Sequence, residues 1–157
     1  MKEQCRSLVS DAKPTSNPTG IINYVRNDIL SKQVELECTC TENIVLEIQI
    51  NKNNILYFST VYRSPNSSDD NNTTIVNFSS QLSTCPGYKI LLGDFNCPSI
   101  NWDTWCASSP LEIKILNTLR KNFLSQYVDK PTRARGDDTP HTLDLVITEI
   151  FFTKFVL

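Results

Sequence analysis

The sequence predicts a mixed α/β (α+β) domain, on three observations. Between Ile44 and Tyr62 two β-patterned runs flank the polar stretch Asn51-Lys52-Asn53-Asn54, which reads as a hairpin. Two later segments, one holding Ile75, Phe78 and Leu82 and one holding Leu111, Ile115, Leu119 and Phe123, carry apolar residues at helical spacing. Short apolar runs of strand length, Tyr88 to Leu92 and Thr142 to Thr148, follow those two segments. Hairpins succeeded by alternating helices and strands point to mixed layering rather than an all-parallel sheet.

The elements follow in chain order. Residues 1–18 are polar and carry Pro14 and Pro18, so they read as an irregular lead-in. Gly20 to Val25 is a short apolar run of strand type, and Val34 to Cys38 is a second candidate. Ile44, Leu46, Ile48 and Ile50 alternate with Val45, Glu47 and Gln49, the period of a strand. Ile55 to Tyr62 is rich in aromatic and β-branched residues. Ser64 to Asn72 is loop by composition, and Cys85-Pro86-Gly87 stops the helix that follows. Ser99 to Ser108 is a loop holding Trp102 and Trp105. Ser109-Pro110-Leu111-Glu112 opens a helix with a Ser cap, Pro in the first turn and Glu at the capping-box position. Gln126 to Asp129 is a candidate short strand, and Thr142 to Thr148 a strand.

At 157 residues the chain has the length of one domain with one core. Its net charge of −2 announces no nucleic-acid binder. The charge is unevenly spread, however. From Lys114 to Arg135 six basic residues (Lys114, Arg120, Lys121, Lys130, Arg133 and Arg135) face one acidic residue, Asp129. No signal peptide is read in Met1 to Ser10 and no run reaches transmembrane length, so the expectation is an intracellular, nuclear or cytoplasmic, protein without membrane partners. The six cysteines make no readable disulfide framework, and Cys38-Thr39-Cys40 lacks zinc-ribbon spacing. The oligomeric state is not legible.

The chemistry concentrates in Lys89-Ile90-Leu91-Leu92-Gly93-Asp94-Phe95-Asn96. An apolar strand runs into Gly93 and then sets a carboxylate and a carboxamide two residues apart, on one side of an extended chain. A carboxylate can hold a divalent cation or activate water, and a carboxamide can donate to a phosphate oxygen. A Gly-Asp pair at a strand end is also an ordinary turn.

Three ordered segments add context. Val61-Tyr62-Arg63-Ser64-Pro65-Asn66 ends one strand. Gly93-Asp94-Phe95-Asn96 ends another and runs on through Cys97-Pro98-Ser99-Ile100-Asn101-Trp102. Lys130-Pro131-Thr132-Arg133 then precedes Thr142-Leu143-Asp144-Leu145-Val146-Ile147-Thr148. Together these resemble the endonuclease/exonuclease/phosphatase superfamily, and within it the apurinic-type endonuclease domain of non-long-terminal-repeat retrotransposons. Gly20 to Asp28 resembles an earlier strand of that domain, so the likeness covers about residues 19–149.

The resemblance implies a two-sheet mixed β-sandwich flanked by helices, and metal-dependent phosphodiester hydrolysis. It implies Mg²⁺ or Mn²⁺ as cofactor and DNA as a weak, electrostatic partner. It makes Asp94 the water activator and Asn96 the donor to a phosphate oxygen. Tyr62 would bring a hydroxyl near the phosphate, and Asn66 would shape the neighbouring loop. Asp144 resembles the acidic residue that orients the family's catalytic histidine. Taken alone, Tyr62 reads as a strand-end aromatic and Asp144 as an edge charge. Trp102 and Trp105 read either as stacking platforms or as packing under their loop. Arg133 and Arg135 are the better phosphate candidates of the basic run, since a solvated helix face accounts for Lys114, Arg120 and Lys121.

The sequence departs from the family pattern at both ends. An opening strand with an Asn and a following strand with a metal-binding Glu are not found in Met1 to Thr19. Ile150 to Leu157 does not resemble the family's closing Ser-Asp-His segment. His141 is no substitute, because it precedes the strand of Asp144 instead of following it. The expectation is an incomplete domain over 19–149 with a non-family tail at 150–157, bearing no identifiable metal ligand and catalytically incomplete alone. Two alternatives stand beside it: a non-catalytic nucleic-acid-binding remnant, and a phosphatase of the same superfamily.

Overall fold

The computed structural model describes residues 5–10, 20–38, 42–134 and 139–149. Eight strands and two helices are present: β1 Cys5–Ser10, β2 Ile21–Arg26, β3 Ser31–Val34, β4 Asn43–Asn51, β5 Asn54–Tyr62, α1 Asp69–Thr84, β6 Tyr88–Asp94, α2 Pro110–Lys121, β7 Leu124–Gln126 and β8 Asp144–Glu149. Six strands form one mixed sheet in the order β3-β4-β5-β6-β8-β7, and β1 and β2 form a two-stranded antiparallel sheet. In the larger sheet β5 and β6 run parallel and the other neighbours antiparallel. A parallel pair requires a crossover, and α1 supplies it.

Both faces of the six-stranded sheet carry apolar side chains because the strands alternate between two cores. On one face Val45, Tyr57, Val61, Leu91, Leu145 and Ile147 pack with Ile75, Phe78 and Leu82 of α1 and Ile115, Leu116 and Leu119 of α2. On the other face Ile44 and Leu46 pack with Ile21 and Val25 of β2. β4 is therefore buried on both sides at Ile44, Val45 and Leu46, which is more than its simple alternation predicts. Farther along that second face Val146 of β8 stays 37% exposed.

α2 starts where its sequence dictates, whereas α1 starts at Asp69, inside the Ser64–Asn72 stretch expected to be loop, because Ser68 caps it there. Ser68 caps α1 by accepting the Asn71 N–H, and Ser109 caps α2 by accepting the Glu112 N–H at 3.2 Å. The Glu112 carboxylate does not close a capping box; it reaches across to accept the Ser99 N–H at 3.1 Å, tying the loop after β6 to α2. Trp102 and Trp105 meet edge to face, centroids 5.6 Å apart, and pack on the main core as the packing alternative reads.

Several local expectations shift. Cys5–Ser10 is a strand, not irregular backbone, because it pairs along its whole length with β2. Backbone pairing there does what side-chain periodicity does not announce. Residues 1–4, 11–18 and 150–157, parts of the expected lead-in and tail, lie outside the described residues. β3 falls at Ser31–Val34, earlier than Val34 to Cys38, where Lys32 meets Glu47 of β4 in a 2.8 Å ion pair. β7 falls at Leu124–Gln126, since it is Leu124 that enters the core. Phe123 leaves the α2 apolar face. The helix ends before it, its φ is +55°, and it is 67% exposed.

Gly93 is where the fold tolerates no side chain. Its φ is +147°, and a Cβ built there would lie 1.7 Å from the Val61 carbonyl oxygen of β5. Both partners are backbone in paired strands, so neither can swing away. Gly93→Ala is expected to cost roughly 3 kcal/mol or more and to leave little folded protein. Chemical denaturation against Gly20→Ala, at an exposed position, checks this; a small, equal effect from both would contradict the geometry.

Candidate active site

Three strand ends stand abreast at one edge of the large sheet. In the parallel ladder Tyr62 of β5 is the register partner of Asp94 of β6, and in the antiparallel ladder Asp94 is the partner of Asp144 of β8. The alternation of side chains then puts all three on one face, the face opposite the helices. The ladders continue one step further: the Arg63 N–H donates to the Asp94 carbonyl at 2.8 Å and the Phe95 N–H to the Leu143 carbonyl at 2.9 Å.

Asn96 sits just beyond this row in a left-handed conformation, φ +46°. Asparagine is among the few residues that adopt it readily. Its N–H donates to Asp94 Oδ1 at 3.0 Å, and its side-chain Nδ2 donates to the Arg63 carbonyl at 2.7 Å. Arg63 answers from the other side. Its Nη1 donates to the carbonyls of Phe95 at 3.3 Å and Asn96 at 3.0 Å, and its Nε to Asn72 Oδ1 of α1 at 2.8 Å. The Arg63–Asn96 pair is thus a reciprocal latch that joins β5, the loop after β6 and α1. The Asn96 carboxamide carries two hydrogens and also interacts with the Asp94 carboxylate, so it ties Arg63 to Asp94.

Asp144 is held by a residue that motif reading passes over. The Thr132 hydroxyl accepts the N–H groups of Leu143 at 3.1 Å and Asp144 at 3.0 Å. Next to it Arg133 and His141 form an antiparallel bridge, with N···O distances of 3.0 and 2.9 Å. The segment Thr132–Arg133 is thereby fastened alongside the entry to β8.

Two contiguous clefts open here. One of about 370 Å³ is lined by Asp94, Asp144, Thr132 and Arg133. A larger one of about 680 Å³ is lined by Asn96, Arg63, His141 and Leu143, and shares Arg133 with the first. Burial pushes the Asp94 carboxyl above its ordinary value and the neighbouring Asp144 adds to this, while the Asn96 N–H and Arg133 pull it back. Under the loop Cys97 is 2% exposed and burial pushes its thiol up to about 12, so it is no nucleophile.

Of the residues expected from sequence, Asp94, Asn96 and Asp144 come together and Arg133 lines both clefts, while Tyr62 stands level with Asp94 in the ladder but lines neither cleft and packs on the Ile21–Ile44 core. Asn66 does not line them; it is exposed in the turn closed by the Ser67 N–H to the Ser64 carbonyl. Arg135 lies outside the described residues. Arg63 and Thr132 are the additions. The signal for Arg63 was present: it follows Val61 at the strand period, so it faces the helix-covered core.

The donor set bears on whether a divalent cation can be held here. Among the described residues no three His, Cys, Asp or Glu side chains cluster as a metal-holding group. Asp94 and Asp144 are the carboxylates of the smaller cleft, and one Asp94 oxygen already accepts the Asn96 N–H. Mg²⁺ or Mn²⁺ takes an octahedral oxygen shell that one or two carboxylates share with water and phosphate, so Asp94 and Asp144 are two donors toward such a shell and not a complete site.

The fold and the row of strand ends find counterparts among known proteins. The family described as endonuclease-reverse transcriptase matches residues 56–151, the segment from mid-β5 past β8. The chain belongs to this family, a branch of the endonuclease/exonuclease/phosphatase superfamily. No curated protein sequence matches the chain. Among solved structures, it is similar to the endonuclease domain of TRAS1, a telomere-specific non-LTR retrotransposon, with a TM-score of 0.66 at 16% identity over 94% of this chain and 69% of that one. An endonuclease/exonuclease/phosphatase family protein from Leptotrichia buccalis gives 0.58 at 14% identity, over 94% and 61%. The 3′ phosphatase NExo from Neisseria, bound to product DNA hairpin, gives 0.54 at 14% identity, over 96% and 68%. At these identities the likeness is one of fold. The mixed layered architecture is that of the superfamily. The family generally uses divalent metals. Among the described residues no helix is long and apolar enough to cross a membrane.

The raised Asp94 pKa has a sign that can be measured. A carboxyl titrating higher in the folded than in the unfolded chain penalises folding above its folded pKa, and the penalty vanishes below its unfolded pKa. Asp94→Asn is therefore expected to raise the thermal midpoint at pH 7. That gain should shrink as pH falls through the carboxylate range. A gain that grew on acidification would show Asp94 to be stabilised as the anion instead.

Proposed function

We propose that this domain acts on nucleic-acid phosphodiesters as a retroelement endonuclease domain, and that the described residues supply the water-activating and phosphate-positioning half of the site. The observation that carries the reading is the row Tyr62–Asp94–Asp144 with Asn96 latched beside it. An elevated carboxylate is a better base, so Asp94 is suited to take a proton from the attacking water. The Asn96 carboxamide would turn from Asp94 to hold a phosphate oxygen, and Arg133 would offset phosphate charge. Tyr62 would present its hydroxyl at the same edge, and Asp144, pinned by Thr132, would orient a cationic or donor group facing it. DNA is the substrate class of this reading, bound weakly because the chain carries a net charge of −2.

The same donor set bounds the activity. With two carboxylates and no third ligand among the described residues, charge developing on the phosphate lacks its main electrostatic partner. The 157-residue chain is expected to show no Mg²⁺-dependent plasmid nicking above background. Joined to the parts of the TRAS1 endonuclease domain that it does not span, it should nick. Asp94→Ala in that chimera should lower the rate by roughly a hundredfold or more. Robust nicking by the unmodified chain, lost in its own Asp94→Ala variant, would show the site to be complete. A chimera indifferent to Asp94→Ala would remove Asp94 from the chemistry.

A further inference from the structure

Arg63 borders a third cleft that the proposed chemistry leaves unused. This cleft, about 520 Å³, opens between the first turns of α1 and α2 and is lined by Arg63, Asn72, Asp69, Ser109, Leu111 and Lys114 among others. Arg63 is 7% exposed, yet every acceptor it reaches is neutral: the Asn72 carboxamide and the carbonyls of Phe95 and Asn96. Among the described residues no carboxylate forms an ion pair with it. Its Nη2 amine donates to no protein acceptor among them. Nη2 stays open to solvent, and an anion in the cleft would give it an acceptor and an ion-pair partner.

The rest of the wall points the same way. Two helix N-termini converge on it, those of α1 and α2, and each brings a partial positive charge. Lys114, one turn into α2, adds an ammonium. Asp69 on the wall opposes them, and Asp70 and Glu112 in the first turns of the two helices offset part of the helix-end charge. Because Arg63 lines both this cleft and the one holding Asn96, two ligand groups on either side of it would be neighbours.

We propose that the α1–α2 cleft is a second phosphate-binding subsite. Within the nucleic-acid reading above, on which this assignment rests, it takes a backbone phosphate flanking the one at Asp94 and Asn96; free phosphate shares the chemistry.

The test uses the full chain, a fluorescent DNA duplex and a series of salt concentrations. Lys114→Ala should weaken binding and flatten the log–log salt dependence by about one unit, since each neutralised phosphate contributes ~0.9. Asp69→Asn should strengthen binding. Lys121→Ala, at the far end of the same helix, should change neither. Separately, inorganic phosphate should raise the thermal midpoint of the native chain more than chloride at equal ionic strength, and Lys114→Ala should abolish the difference. An unchanged salt slope in Lys114→Ala beside a reduced one in Arg133→Ala would overturn the backbone subsite and leave the Asp94 cleft standing. If the native chain binds no DNA, the nucleic-acid reading fails and phosphate decides alone. A midpoint rise lost in Lys114→Ala keeps the cleft as a site for free phosphate. No rise overturns it.

Discussion

The contact between Gly93 and the Val61 carbonyl fixes the position of everything at the reactive edge. Adjacent parallel strands leave little room where their backbones close, and here the room is used up: a single methyl on Gly93 would sit 1.7 Å from a carbonyl oxygen. That contact lies one residue before the Tyr62–Asp94 pair, so it locks the register in which the two side chains emerge level. Since Asp94 also pairs with Asp144, the lock passes to a third strand. A one-residue slip in either ladder would send one of these side chains to the helix-covered core. The site is therefore a consequence of sheet register, and the loops around it elaborate positions already set by backbone pairing.

Beyond the sheet the chain must turn, and the Arg63–Asn96 latch makes that turn definite. A left-handed asparagine and a buried guanidinium are each unfavourable in isolation. Joined, they offset one another: Arg63 satisfies two carbonyls of the turn, while Asn96 satisfies the carbonyl of Arg63. The Asn72 carboxamide completes the arrangement from α1, so the crossover helix that makes the parallel pair possible also steadies the loop. What the latch does not provide is a counter-charge for Arg63. That residual imbalance is a property of the site's frame and stands whatever chemistry occurs at Asp94.

Much of this was legible in the chain, for identifiable reasons. The Ile44–Tyr62 hairpin, both helices and the strand into Asp94 have strong periodicity and clear stop signals, and each appears. The convergence of Tyr62, Asp94 and Asp144 followed from ordered motifs at strand ends, each of which the ladders place in one row. What escaped depended on tertiary context. β1 has no apolar alternation and exists through pairing with β2. Phe123 keeps helical spacing, yet the backbone turns left-handed just before it could join the buried face. Glu112 occupies a capping-box position, but the loop after β6 offers its carboxylate an N–H from Ser99. Thr132 and Arg63 act through backbone groups, and no residue pattern announces which backbone N–H or carbonyl a side chain will reach.

The distribution of charge connects these parts. A net charge of −2 disfavours broad adhesion to a polyanion, so any affinity for phosphate must come from local placement. The basic run is dispersed by the fold rather than gathered into a patch: Arg120 donates to the Trp105 carbonyl, while Lys114 and Arg133 line different clefts. The carboxylates are concentrated instead, with Asp94 and Asp144 side by side, where the Asp144 charge adds to the burial that raises the Asp94 carboxyl. Under the proposed function, cations on the flanks would hold a phosphate chain by its neighbours while the paired carboxylates at the centre present an acceptor oxygen to water. That reading assigns binding and chemistry to different residues, and substitutions on the flanks would be separable in effect from substitutions at Asp94.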